Sequence, residues 1–129
     1  MVELKARCLC GDVRIVCDGE ILSSGHCHCE SCRRTTSAAV ASFFVMRKED
    51  VAISGGSLRS FESSPGVRRS FCGRCGSPVA YEGFKRPDQI DLYVASLEEG
   101  YAVEVKEHWF WGERVSWLHV EDDLPKSED

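Results

Sequence analysis

Cys27, Cys29 and Cys32 stand in the run Cys27-His28-Cys29-Glu30-Ser31-Cys32-Arg33-Arg34, three thiols followed by two fixed positive charges. Three cysteines cannot pair off among themselves, and a C-x-C pair is too cramped for an unstrained disulfide. Metal ligation is the simpler use. A C-x-C-x-x-C turn can converge three thiolates on one Zn2+ ion, which takes sulfur at about 2.3 Å in a tetrahedral arrangement. Three protein ligands and an open fourth position is the pattern of a catalytic zinc; the competing reading is a structural site completed by a histidine or by Cys17. Cys17 shares an apolar strand face with Val13 and Ile15 and reads better as a buried thiol. His28, placed between two ligands, is expected to turn its ring away from the shared ion.

Two further tight pairs, Cys8-Leu9-Cys10-Gly11 and Cys72-Gly73-Arg74-Cys75-Gly76, each end in glycine. Small residues after the cysteines let backbone N–H groups fold back onto the sulfurs. Cys8, Cys10, Cys72 and Cys75 thus supply the four ligands of a closed structural zinc that joins the first hairpin to the middle of the chain, the alternative being two unrelated buried thiol pairs. The expectation is two zinc ions per chain, the second the more labile. Zn2+ with three thiolates carries a net charge of about -1, which makes it a poor Lewis acid and a poor activator of water. A soft ion with an open corner should instead hold a thiol as its thiolate, and the expected reaction is attack by that sulfur on an electrophilic carbon.

The elements that must position these residues are short strands. Val2, Leu4, Ala6 and Cys8 alternate against Glu3, Lys5 and Arg7, and after a turn at Gly11-Asp12 the residues Val13, Ile15 and Cys17 repeat the alternation, so the two segments read as a hairpin. Glu20-Ile21-Leu22 leads through Ser23-Ser24-Gly25 into the cysteine run, after which one helical turn is expected. Ser37 to Val45 reads as a strand buried on both faces, with Phe43 and Phe44 in the core on opposite sides. Further strands are expected at Val51–Ile53, Leu58–Phe61, Val67–Phe71, Pro78–Tyr81, around Ile90–Val94, around Val103–Val105 and at Val115–Val120. Many short strands with turn signals between them mean an all-β domain.

The 129 residues suit one domain, expected over residues 1–120 with an acidic, mobile tail at 121–129. Eight cysteines in a chain with no export signal point to reduced thiols and a cytoplasmic location rather than to disulfides. No stretch approaches the roughly 20 apolar residues of a membrane span. A net charge of -5 argues against a broad nucleic-acid surface, although the pairs Arg33-Arg34 and Arg68-Arg69 remain anchors for a small anion.

The order C-x-C-G, C-H-C-x-x-C-R-R, F-C-x-x-C-G-S-P and H-W-x-W, from Cys8 to Trp117, resembles the glutathione-dependent formaldehyde-activating enzyme family. The resemblance implies a compact zinc-stapled β-tent, a structural zinc on Cys8, Cys10, Cys72 and Cys75, and a catalytic zinc on Cys27, Cys29 and Cys32. It further implies a carbon–sulfur lyase or synthase that joins glutathione to formaldehyde as S-(hydroxymethyl)glutathione. The chain is short and resembles the compact members of unassigned substrate. Glutathione carries two carboxylates, so Arg33 and Arg34 are candidate substrate clamps through paired hydrogen bonds, or else are solvated or paired with Glu30. His26 and His28 are candidate general acids or bases, and His108, Trp109 and Trp111 read as core more than as pocket mouth. The expected partners are a small thiol and a small aldehyde, with a homodimer left open. The competing function is a non-catalytic binding module on the same scaffold. Methionine sulfoxide reduction would call for a nucleophilic cysteine late in the chain, and none follows Cys75.

Overall fold

The computed structural model describes residues 2–99 and 103–129; the expected inward side chain of Val2 lies outside what is described. Strands dominate it. β1 (Val2–Arg7) and β2 (Arg14–Gly19) form the expected antiparallel hairpin, and β5 (Val51–Ser54) pairs with β2 to complete a three-stranded sheet in the order β1-β2-β5. Their inward residues Leu4, Ala6, Ile15 and Cys17 are buried, as the period-two pattern requires of a sheet with one wet face.

The second sheet has seven strands in the order β10-β3-β4-β9-β8-β7-β6. These are β3 (Ser23–Cys27), β4 (Ala41–Arg47), β6 (Leu58–Ser64), β7 (Val67–Cys72), β8 (Pro78–Gly83), β9 (Gln89–Tyr93) and β10 (His108–Trp109). Every pairing is antiparallel except β10 with β3. Alternation along the strands divides the large sheet into two faces. Phe44, Met46, Ile90, Leu92 and Ala80 pack with the small sheet in the main core. Phe43 and Tyr93, paired across β4 and β9, belong to a second cluster around Cys27 and Cys32 on the opposite face.

Four expectations need correction. The polar segment Ser23–Cys27 is itself a strand, because Ser24 Oγ meets its needs by donating to the Glu104 carbonyl at 2.8 Å and accepting from the Lys106 N–H at 3.1 Å. Gly25 is demanded by the same strand, since a Cβ there would stand inside the Trp109 indole. No strand forms over Val115–Val120, nor over residues 103–106, whose Ser24 bridge replaces a ladder. Val115, Leu118 and Val120 instead line a small cleft beside His28. The tail expected to be mobile is docked: His108 donates its backbone N–H to Pro125 and accepts from Ser127, which covers the free edge of β10.

Candidate functional site

The first cysteine set is delivered by two turns from different sheets. Cys8 and Cys10 follow β1, while Cys72 ends β7 and Cys75 lies in the turn before β8. The four sulfurs lie within 4.8 Å of one another, with Cys8–Cys10 at 3.6 Å and Cys10–Cys72 at 3.8 Å. Sulfurs at the corners of a tetrahedron about 2.3 Å from its centre are ~3.8 Å apart, so the set fits zinc. Backbone N–H groups close onto the sulfurs as the glycine-ended turns predict: Val13 onto Cys8 at 3.3 Å and Cys75 onto Cys72 at 3.4 Å. Gly11 and Gly76, at φ +83° and +80°, supply the left-handed residue that each turn needs. Hydrogen bonding from Ser77 lowers the Cys75 thiol to about 5, readying a thiolate.

Cys27, Cys29 and Cys32 also lie within 4.8 Å of one another, Cys27 and Cys29 at 3.5 Å. Cys27 closes β3. Cys29 is the N-cap of α1 (Glu30–Thr36), its sulfur accepting the Cys32 N–H at 3.3 Å, and Cys32 sits on the buried side of that helix. The helix begins before Cys32, earlier than the sequence suggests, because the cap is itself a ligand candidate. Hydrogen bonds from the Cys27 and Cys32 thiols, together with the capping N–H, lower Cys29 strongly, and the same sharing raises Cys27. Among the described residues no fourth Cys, His, Asp or Glu donor joins this group. Cys17 is fully buried in the main core.

His28 points away from the sulfurs. Its Nε2 lies 2.8 Å from Nδ1 of His108, whose Nε2 lies 2.9 Å from Asp122 Oδ2. A carboxylate only accepts, so His108 donates from Nε2 to Asp122, and between the two rings one nitrogen donates and the other accepts. Burial, reinforced by the neighbouring His108, lowers His28 to about 4 and keeps its ring neutral. His108 is thus core, as expected, but polar core.

The two arginines after Cys32 have partners within their own segment. Arg33 Nε donates to the His28 carbonyl at 3.2 Å, and Arg34, with its side chain 78% exposed, pairs with Glu30 at 3.8 Å. A third arginine, Arg69, stands at the sulfurs. It lies on β7, is 5% exposed, and sends Nη2 to within 3.7 Å of Cys32 Sγ. Its guanidinium lies 4.9 Å from the centre of the Tyr81 ring, its partner across β7 and β8. Its Nη1 is the one buried side-chain nitrogen or oxygen without a hydrogen-bond partner among the described residues. The sequence offers Arg68-Arg69 as a pair; strand alternation decides which of the two faces in. Burial pushes the neighbouring Tyr93 phenol up to about 12, so it stays protonated. A cleft of ≈ 830 Å³ reaches this face, with Thr36, Ala41 and Tyr93 in its wall.

Residues 3–113 match the model of a family described as glutathione-dependent formaldehyde-activating enzyme. A Schizosaccharomyces pombe protein named an uncharacterized lyase is 29% identical over 96 residues, 73% of this chain and 69% of its own. The crystal structure of a Rhodobacter sphaeroides protein superposes with a TM-score of 0.65 at 26% identity, covering 82% of this chain and 99% of that one.

Proposed function

The chain belongs to the glutathione-dependent formaldehyde-activating enzyme family, and from that premise we propose that it joins a small thiol, glutathione or a relative, to a small aldehyde at Cys27, Cys29 and Cys32. The observation that carries the reading is the ligand count: three sulfurs converge, and among the described residues no fourth donor closes the set. Zinc bound there would hold an incoming thiol as its thiolate. The closed set, Cys8, Cys10, Cys72 and Cys75, is read as a purely structural second zinc.

The surrounding residues suit a small electrophile. Phe43, Tyr93, Trp109 and Phe110 pack around the three cysteines and give them an apolar aromatic setting suited to a small, weakly polar electrophile. A cleft whose wall includes Ala41 and Tyr93 of this cluster, though none of the three cysteines, has a volume within the roughly 300–1,000 Å³ of small-molecule sites. In chemical class the reaction is that of a carbon–sulfur lyase run towards synthesis.

Native mass spectrometry of freshly purified protein, with and without added glutathione, tests this. Two zinc ions and one non-covalent glutathione that disappears in Cys29→Ser, followed by aldehyde consumption above the spontaneous rate, are expected. One zinc and no adduct, in protein offered zinc under non-chelating conditions, would overturn it and leave the scaffold as a binding module.

A further inference from the structure

Arg69 is a cation that the large sheet buries without giving it a carboxylate. Among the described residues it forms no salt bridge, and the acid on the same face, Asp91, spends both oxygens on Arg86 at 2.8 and 3.0 Å. A guanidinium cannot shed its proton to escape this situation, and a buried donor left unpaired destabilises the fold. Nη2 is accounted for by Cys32. Nη1, the second edge of the same planar fork, is buried and makes no hydrogen bond, although the Tyr93 phenol stands near the guanidinium.

Building on the synthase reading, we propose that Arg69 Nη1 receives the carbonyl oxygen of the aldehyde and stabilises the negative charge that develops on it. Position argues for that oxygen over a glutathione carboxylate. The two Nη atoms of a guanidinium are rigidly linked, so Nη1 stays within one fork width of the Cys32 sulfur. The aldehyde oxygen is bonded directly to the carbon that the thiolate attacks, whereas both glutathione carboxylates are several bonds from its sulfur. In the reaction the thiolate lone pair forms the S–C bond, and the C=O π pair moves to oxygen, which becomes an alkoxide facing Nη1. The alkoxide then takes a proton from water, balancing the proton the thiol released, so that thiol and aldehyde sum to the hydroxyalkyl thioether. Arg69 donates a hydrogen bond throughout and transfers no proton. A buried charged donor held beside Tyr81 and Tyr93 needs little reorganisation as charge appears, the condition under which such donors are most effective.

The test uses zinc-loaded protein and formate, a small planar oxyanion, with Arg69→Lys and Arg69→Met. Formate binding, followed by calorimetry without thiol, is expected in the parent protein and lost in both variants, while zinc content and the glutathione adduct stay as in the parent. The rate of adduct addition to formaldehyde is expected to fall ~10²–10³-fold in kcat with the KM for thiol unmoved. A parental rate and parental formate affinity in Arg69→Lys overturn the proposal. So does loss of zinc or thiol adduct in Arg69→Lys, which keeps the charge and the fold, because that outcome makes Arg69 a support for the sulfurs. Formate binding that needs Arg69 in a protein taking no thiol adduct supports the anion site and overturns the synthase reading alone.

Discussion

His28 Nε2 and His108 Nδ1 meet at 2.8 Å in the buried interior, across 80 residues of sequence, and tie the loop between Cys27 and Cys29 to the end of the chain. Asp122 holds the far side of His108. The docked tail therefore stands two hydrogen bonds from the three-cysteine loop. Deleting residues 121–129 strips His108 of both its backbone partners and its carboxylate. Each buried polar group left unpaired costs about 1–3 kcal/mol, so a clear drop in thermal midpoint is expected, with faster hydrogen exchange at the His28–Arg33 amides.

The hydrogen bond to His108 holds the Asp122 carboxyl below its ordinary value. A carboxylate whose folded pKa lies below the unfolded one binds fewer protons when folded, so its contribution is fully present above about pH 4 and is lost as pH falls through the folded value. The gap in thermal midpoint between the parent and Asp122→Asn should thus shrink below pH 4. Acid loss of metal affects both proteins alike and cancels in the comparison; a gap that widens on acidification would contradict the assignment.

The two cysteine sets should fail differently. Structural zinc sites contribute on the order of 10–16 kcal/mol in small domains, comparable to or above a whole domain's stability. Cys72→Ser should therefore abolish cooperative unfolding by circular dichroism. Cys29→Ser should keep the cooperative fold and one zinc ion by metal analysis, and lose the thiol adduct.

Gly25→Ala places a methyl group where the Trp109 indole lies against β3. Overpacking of this kind typically costs about 1–3 kcal/mol. The expected result is a lowered thermal midpoint with a changed tryptophan emission, since Trp109 must leave both β3 and its Glu107 partner at 2.6 Å.

Arg34→Ala should change stability by no more than about 0.5 kcal/mol and leave glutathione affinity in place, because an exposed i,i+4 pair with Glu30 contributes little. A tenfold loss of affinity would restore Arg34 as a substrate clamp.

Much of the fold was legible because half-buried strands advertise themselves. β1, β2 and β9 carry apolar residues at period two, and the cysteine spacings pointed to both sulfur clusters. β3 was hidden because its buried members are a serine satisfied by distant backbone and a glycine chosen for the tryptophan above it. Val115–Val120 misled in the opposite direction: its alternating apolar residues look like a strand, yet they border a cleft and leave Trp117 exposed. Arg69 was half legible. Two adjacent arginines on a strand necessarily face opposite sides, but only the register against Tyr81 shows which side carries the sulfurs.

The contact of His28 with His108 also sets an order in time. On a chain made from its N-terminus, the three-cysteine loop emerges before the four-cysteine set, which is complete once Cys75 is free. The loop, however, gains its last supports only when His108 and then Asp122 arrive. The part of the molecule read as reactive is thus synthesised before the two residues that complete its support, and until they arrive its thiols stand on a segment held only by β4, α1 and Arg69.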